Sequence, residues 1–98
     1  MKLWLDDIRP APSGWVWYLH VDDMVEDIRQ LMSYGIKIEM ISLDNDLGEH
    51  EREGYKVLDW LESLQIPINF GIHIHSANPV AVSRMRAIIN HNGWREIR

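Results

Sequence analysis

Ile38-Glu39-Met40-Ile41-Ser42-Leu43-Asp44-Asn45-Asp46-Leu47-Gly48 is the stretch that decides the fold. Residues Ile38 to Leu43 are nearly continuous in apolar character, as a strand covered on both faces of a parallel sheet would be. Two carboxylates, Asp44 and Asp46, follow directly behind it. The same order recurs at Lys2 to Leu5, stopped by Asp6-Asp7, and at Ile68 to His75, which ends in Ser76-Ala77-Asn78. In an open parallel α/β sheet, ligands bind beyond the carboxyl ends of the strands. Polar groups far apart in the chain are therefore predicted to converge on one crevice.

The segments between these runs supply the rest of the architecture. Trp15 to His20 is rich in aromatic and β-branched residues and reads as a second strand. A helix follows, with Met24, Val25, Ile28, Leu31 and Met32 at helical spacing, Asp23 and Glu26 as a capping pair, and Gly35 as its stop. Gly48 to Glu53 is a polar, glycine-bounded loop over the crevice. Gly54 to Leu64 is helical through Val57, Leu58, Leu61 and Leu64, and Pro67 blocks its continuation. Asn78 is a favoured N-cap and Pro79 a favoured first helical residue, so a third helix is predicted from there to Gly93. Trp94 to Arg98 is too short to classify; an edge strand is one reading. The sum is a truncated flavodoxin-like α/β fold: an open, mainly parallel sheet of four strands, or five with that edge, and three helices in one domain over residues 1–98.

One connection departs from the pattern. The nine residues Asp6 to Gly14 contain Pro10, Pro12 and Gly14 and no helix, whereas a parallel crossover usually takes a dozen or more. Strand two is therefore expected to be placed irregularly, and one sheet face to lack helical cover. Trp4, Trp15 or Trp17 on such a face would form an apolar patch, and a homodimer through it is the expectation.

Composition limits the function classes. An apolar fraction of 46% with five tryptophans belongs to a folded globule, and no run approaches the roughly 20 apolar residues of a membrane span. The first apolar run is interrupted too early for a signal peptide, and with no cysteine there is neither disulfide nor thiolate zinc site; a cytoplasmic location is the default. A net charge of −5 argues against a broad basic surface for duplex nucleic acid. It permits a small phosphorylated ligand, or an RNA terminus gripped locally.

Asp6-Asp7, Leu43-Asp44-Asn45-Asp46-Leu47-Gly48, Gly54-Tyr55-Lys56-Val57-Leu58 and Ser76-Ala77 resemble the receiver domains of bacterial two-component signalling. That resemblance implies Asp6 and Asp7 as a metal-binding acidic pair, Asp44 as phospho-acceptor and Ser76 as the hydroxyl that contacts the phosphoryl group. The first helix is replaced by the proline loop, and no lysine follows Ser76. Leu5-Asp6-Asp7-Ile8-Arg9-Pro10 and Ile74-His75-Ser76-Ala77-Asn78-Pro79 are more similar to an offshoot, the cyclic-phosphate processing receiver-like domains. The offshoot implies a role on cyclic phosphates, with RNA end repair as its inferred setting.

Elementary electrostatics leads to the same site. Two carboxylates about 5 Å apart repel by roughly 3 kcal/mol at an effective dielectric near 20. A cation must neutralise such a cluster, or some of its members must hold protons. An oxygen-rich set drawn from Asp6, Asp7, Asp44 and Asp46 suits magnesium, and nearby histidine favours manganese. Asp44 has two open roles, nucleophile or base toward water. His75 is the candidate acid for a leaving oxygen. Ser76, Asn78 and the helix amino end are candidate phosphate contacts, and Arg9 a bidentate one. His20 and His50 read as surface histidines, and His73 as a hydrogen-bonded core residue.

Three function classes follow. The first is a metal-dependent phosphoesterase acting on a cyclic phosphate of a nucleotide or RNA end. The second is a stand-alone receiver phosphorylated on Asp44, and the third a non-catalytic module that binds a cyclic nucleotide.

Overall fold

The structure, a computed structural model, describes Met1–Arg98. Five short strands, β1 (Lys2–Leu5), β2 (Val16–Tyr18), β3 (Met40–Leu43), β4 (Gly71–Ile74) and β5 (Glu96–Ile97), form one sheet in the order β2-β1-β3-β4-β5. All four pairings are parallel. Helices α1 (Val21–Ser33), α2 (Tyr55–Ser63) and α3 (Pro79–His91) connect β2 to β3, β3 to β4 and β4 to β5. The expected α/β architecture is present, and its fifth strand is the carboxyl-terminal edge.

Topology decides which face the helices cover. From β2 onward each crossover moves toward β5, and right-handed crossovers moving in one direction deposit their helices on one side. Registered positions in a parallel sheet share a face. Leu3, Ile41 and Ile72 form one tier and Leu5, Leu43 and Ile74 the next. These side chains pack with Met24, Ile28, Val57, Leu58, Leu61, Met85 and Ile89 into the main core. The connection that would place a helix on the opposite face is β1 to β2, and it is the proline loop.

Strand two is regular, contrary to expectation, with Leu3, Trp4 and Leu5 registered against Val16, Trp17 and Tyr18. A helix-free link suffices because the two strands are adjacent. β3 and β4 are shorter than the apolar runs suggest: Ile38 is buried but precedes β3, and Ile68 and Phe70 pack on the core ahead of β4. Apolar runs report burial, not strand pairing. Nor is β3 apolar on both sides, since Ser42 is fully buried beneath two histidines rather than a helix.

Helix ends follow local chemistry with one correction. α1 is preceded by His20 and has no side-chain cap; Asp22 and Asp23 lie in its first turn, where the macrodipole favours them. Gly35, with φ of 69°, lies just beyond its end in the left-handed region. Asn78 caps α3 as expected, its Oδ1 accepting from the backbone amides of Val80 and Ala81 at 3.1 Å each, with Pro79 at the first position. Asn78→Ala is expected to cost about 1 kcal/mol. A lower denaturant midpoint at unchanged slope would show it.

Candidate active site

Backbone geometry at the carboxyl end of β1 fixes Asp6. Its Oδ1 accepts from the amides of Ile8 and Arg9, both at 2.8 Å, closing a tight turn. Its Oδ2 faces Arg9 Nε at 3.1 Å and His75 Nε2 at 3.0 Å. Asp6 is fully buried with four donors around it. Burial alone raises its carboxyl pKa, but the two amides, the His75 hydrogen bond and the Arg9 charge together hold it below the usual carboxylate range.

Asp44 follows β3 one strand away. Asn45 N donates to its Oδ1 at 2.9 Å, and an Arg9 guanidinium nitrogen stands 3.6 Å from that oxygen. Burial pushes the Asp44 carboxyl up; the Asn45 amide and Arg9 oppose this, the neighbouring charges of Asp6 and Asp46 reinforce it, and the net shift is upward. Asp7 completes the cluster. Donor atoms of Asp6, Asp7 and Asp44 all lie within 4.8 Å of one another, the convergence expected from three strand-end carboxylates.

This donor set fits a hard divalent cation. Asp7 Oδ1 is buried and has no hydrogen-bond partner, so this oxygen has lost water without gaining a donor. Arg9 is one positive charge for three carboxylates, and it is half exposed. Oxygen ligands of this kind suit magnesium or manganese.

Asp46 stands outside the cluster. It is exposed, and its Oδ2 accepts from Asn78 Nδ2 at 3.4 Å. Ser76 is half-buried, and its Oγ accepts the Asn78 amide at 3.1 Å. Asn78 Oδ1 already takes the Val80 and Ala81 amides, so the amino end of α3 has fewer free donors for phosphate than the sequence suggested. The open groove along α3, lined by Ser76, Pro79, Ser83, Arg86 and Asn90 among others, contains none of the three clustered aspartates. His20 faces Glu51 at 3.2 Å and His50 is exposed, both on the loop side.

His75 is held on every side. Its ring stacks on Trp4 with centroids 3.9 Å apart and planes 6° from parallel. Its Nε2 meets Asp6, and its Nδ1 lies 2.7 Å from Ser42 Oγ, which is also 2.6 Å from His73 Nδ1. With both nitrogens engaged, the imidazole reaches the crevice through Asp6 rather than directly. Burial pushes its pKa down, further than the Asp6 hydrogen bond raises it. The ring is therefore neutral at neutral pH, with Nε2–H donating to the Asp6 carboxylate.

Three contributors were not singled out as site residues. Ser42 joins the two imidazoles, Trp4 supports His75, and the buried Asn45 holds the following loop. Asn45 Nδ2 donates to Glu53 at 3.0 Å, its Oδ1 accepts from the Tyr55 amide at 3.2 Å, and its carbonyl accepts from Gly54 N at 2.9 Å. A usable signal was the period of two: Trp4 shares parity with Asp6, Ser42 with Asp44, and His73 with His75.

A family model described as the cyclic-phosphate processing receiver domain matches residues 1–91. Comparison with curated proteins gives no match. No helix is long and apolar enough to cross a membrane.

Proposed function

We propose, for a chain that belongs to the cyclic-phosphate processing receiver domains, that the Asp6, Asp7 and Asp44 cluster hydrolyses a cyclic phosphodiester on a nucleotide or RNA end. The observation that carries the reading is the convergence of three carboxylates within 4.8 Å, one of them with a buried, unpartnered oxygen. Held there by carboxylates of Asp6, Asp7 and Asp44, magnesium or manganese would neutralise the cluster and polarise a phosphoryl oxygen.

The residues divide the remaining work. Asp44, converging with Asp6 and Asp7 at the strand ends, takes a proton from the attacking water. The water oxygen bonds to phosphorus, the ring P–O bond breaks, and the departing ribose oxygen takes a proton from solvent at the open rim. Arg9 is close enough to both Asp6 and Asp44 to turn one guanidinium edge toward a phosphate oxygen. His75 acts as a positioning residue that fixes Asp6 and keeps it ionised. Ser76 and Asn78, beyond the end of the neighbouring strand β4, are assigned the contacts to the non-reacting phosphate oxygens.

The test is incubation with magnesium or manganese and a 2′,3′-cyclic mononucleotide, in parallel with a small phosphodonor. Metal-dependent ring opening to a monophosphate is the expected result. A stable phosphoprotein on Asp44 without ring opening would assign a receiver instead, and binding without turnover a sequestering module.

A further inference from the structure

The sheet face without helices is aromatic and cationic, although the chain as a whole is acidic. Sharing that face by register are Trp17, Trp4, Ser42 and His73 in one tier, with Lys2, Met40 and Gly71 in the tier before it. A Cβ at Gly71 would meet Ile97 and Arg95, so both of those side chains lie over this face as well. Trp17 is 44% exposed, and its indole nitrogen donates to the Asp6 carbonyl at 2.7 Å. Trp15 packs edge-on against Trp4 at 5.8 Å, with Lys2 Nζ 5.8 Å above its ring. Aromatic rings thus run continuously from Trp15 through Trp4 to His75, and end at the acidic rim.

Charge separates along the same division. Lys2 and Arg95 form no ion pair. The carboxylates that share this parity, Asp6 and Asp44, lie at the rim and are faced by Arg9. The acidic excess sits elsewhere: Asp22, Asp23, Glu26 and Asp27 on α1, and Glu49, Glu51 and Glu53 on the loop after β3.

We propose that this helix-free face binds the single-stranded RNA leading to the reacting phosphate, with bases against Trp17 and its aromatic neighbours and phosphates against Lys2 and Arg95. The proposal rests on the cyclic-phosphate reading of the rim and names its substrate class. Base faces stack on exposed aromatic side chains of a sheet, and flanking cations pair with the backbone. A 2′,3′-cyclic ester requires a ribose 2′-oxygen, which makes the strand RNA. Five strands at about 4.8 Å spacing give a platform about 19 Å wide, enough for a few nucleotides. A second copy fits less well. An isologous contact would lay Lys2 and Arg95 against a face whose only carboxylates are already engaged.

The experiment follows tryptophan fluorescence on titration with three ligands: an RNA hexamer ending in a 2′,3′-cyclic phosphate, the same hexamer ending in hydroxyls, and a 2′,3′-cyclic mononucleotide. Both hexamers should bind at least about 10-fold tighter than the mononucleotide, and Trp17→Ala should weaken them by on the order of 10-fold. Lys2→Glu with Arg95→Glu, at surface positions, should also weaken them and flatten the log–log salt slope by about 1.4, while mononucleotide ring opening persists. Equal affinity for hexamer and mononucleotide, or variants that bind hexamer like the parent, would overturn the proposal while leaving a ring-opening enzyme intact. Hydroxyl-ended hexamer that binds without any ring opening by the protein would support the face and sink the enzymatic reading alone. A dimer in sedimentation that dissociates on Trp17→Ala and excludes RNA would reassign the face to self-association.

Discussion

Asp44→Asn is expected to lower cyclic-phosphate turnover by about 10²- to 10⁴-fold, the range associated with loss of a positioned proton acceptor. It is expected at the same time to stabilise the metal-free protein at neutral pH. Asp44 lies within 4.8 Å of two other carboxylates. At that distance a single pair repels by roughly 3 kcal/mol at an effective dielectric near 20, an upper bound that Arg9 partly offsets. The sign follows from proton linkage. With its folded pKa above the unfolded value, Asp44 favours folding while protonated, and that contribution is lost as pH rises through the folded value. The variant's advantage in melting temperature should therefore be present at pH 7 and shrink toward pH 4.

Divalent cation should reverse the ranking. At 100 times its dissociation constant, a ligand of the folded state adds about 2.7 kcal/mol, which for a domain of this size is on the order of 10 °C. The parent protein should gain this with manganese or magnesium, and Asp44→Asn should lose most of it. Calorimetry with and without cation reads both effects. A variant that shifts with metal as the parent does would remove Asp44 from the ligand set.

Gly54→Ala should be the most damaging single methyl group in the chain. A Cβ at Gly54 would stand 1.8 Å from the Asp44 carbonyl oxygen and 2.8 Å from its carbon, with Asn45 Cα at 3.0 Å. All three neighbours are backbone, so rotamer changes give no relief. The start of α2 or the end of β3 must move. The hydrogen bonds from Gly54 N and Tyr55 N to Asn45 would stretch, and with them the placement of Asp44. Overpacking of this severity costs about 3 kcal/mol or more, or roughly 12 °C in melting temperature. Gly71→Ala provides the contrast. Its Cβ would meet the Ile97 side chain at 2.6 Å on a two-residue edge strand, which can shift. Urea denaturation of both variants tests the difference, and equal midpoints would refute the close-approach account.

Gly54 also shows where sequence reading stops. Gly48 to Glu53 reads as a polar loop and the helical period runs from Gly54 through Val57, Leu58, Leu61 and Leu64, so a boundary at Gly54 was legible. The need for glycine was not, because the obstructing carbonyl belongs to Asp44, ten residues earlier, and reaches Gly54 only in the folded chain. His75 has the same character. Its position at a strand end was visible, and it suggested an acid directed at substrate. The structure instead aims its two nitrogens at Asp6, just beyond β1, and at Ser42 in β3.

By itself the sequence determined the strand-end placement of Asp6, Asp7, Asp44 and Ser76, the capped start of α3 at Asn78-Pro79, and the absence of a first crossover helix. Each depends on short-range properties: side-chain period, chain breakers and caps. Tertiary structure alone decided that Asp46 stays outside the carboxylate cluster and that Ser42 joins two histidines. It also decided that Trp4, Trp17 and Lys2 share a bare face with Arg95. Those outcomes depend on the register between strands and the hand of the crossovers, which arise when separate segments pack together and so are written in no single stretch of residues.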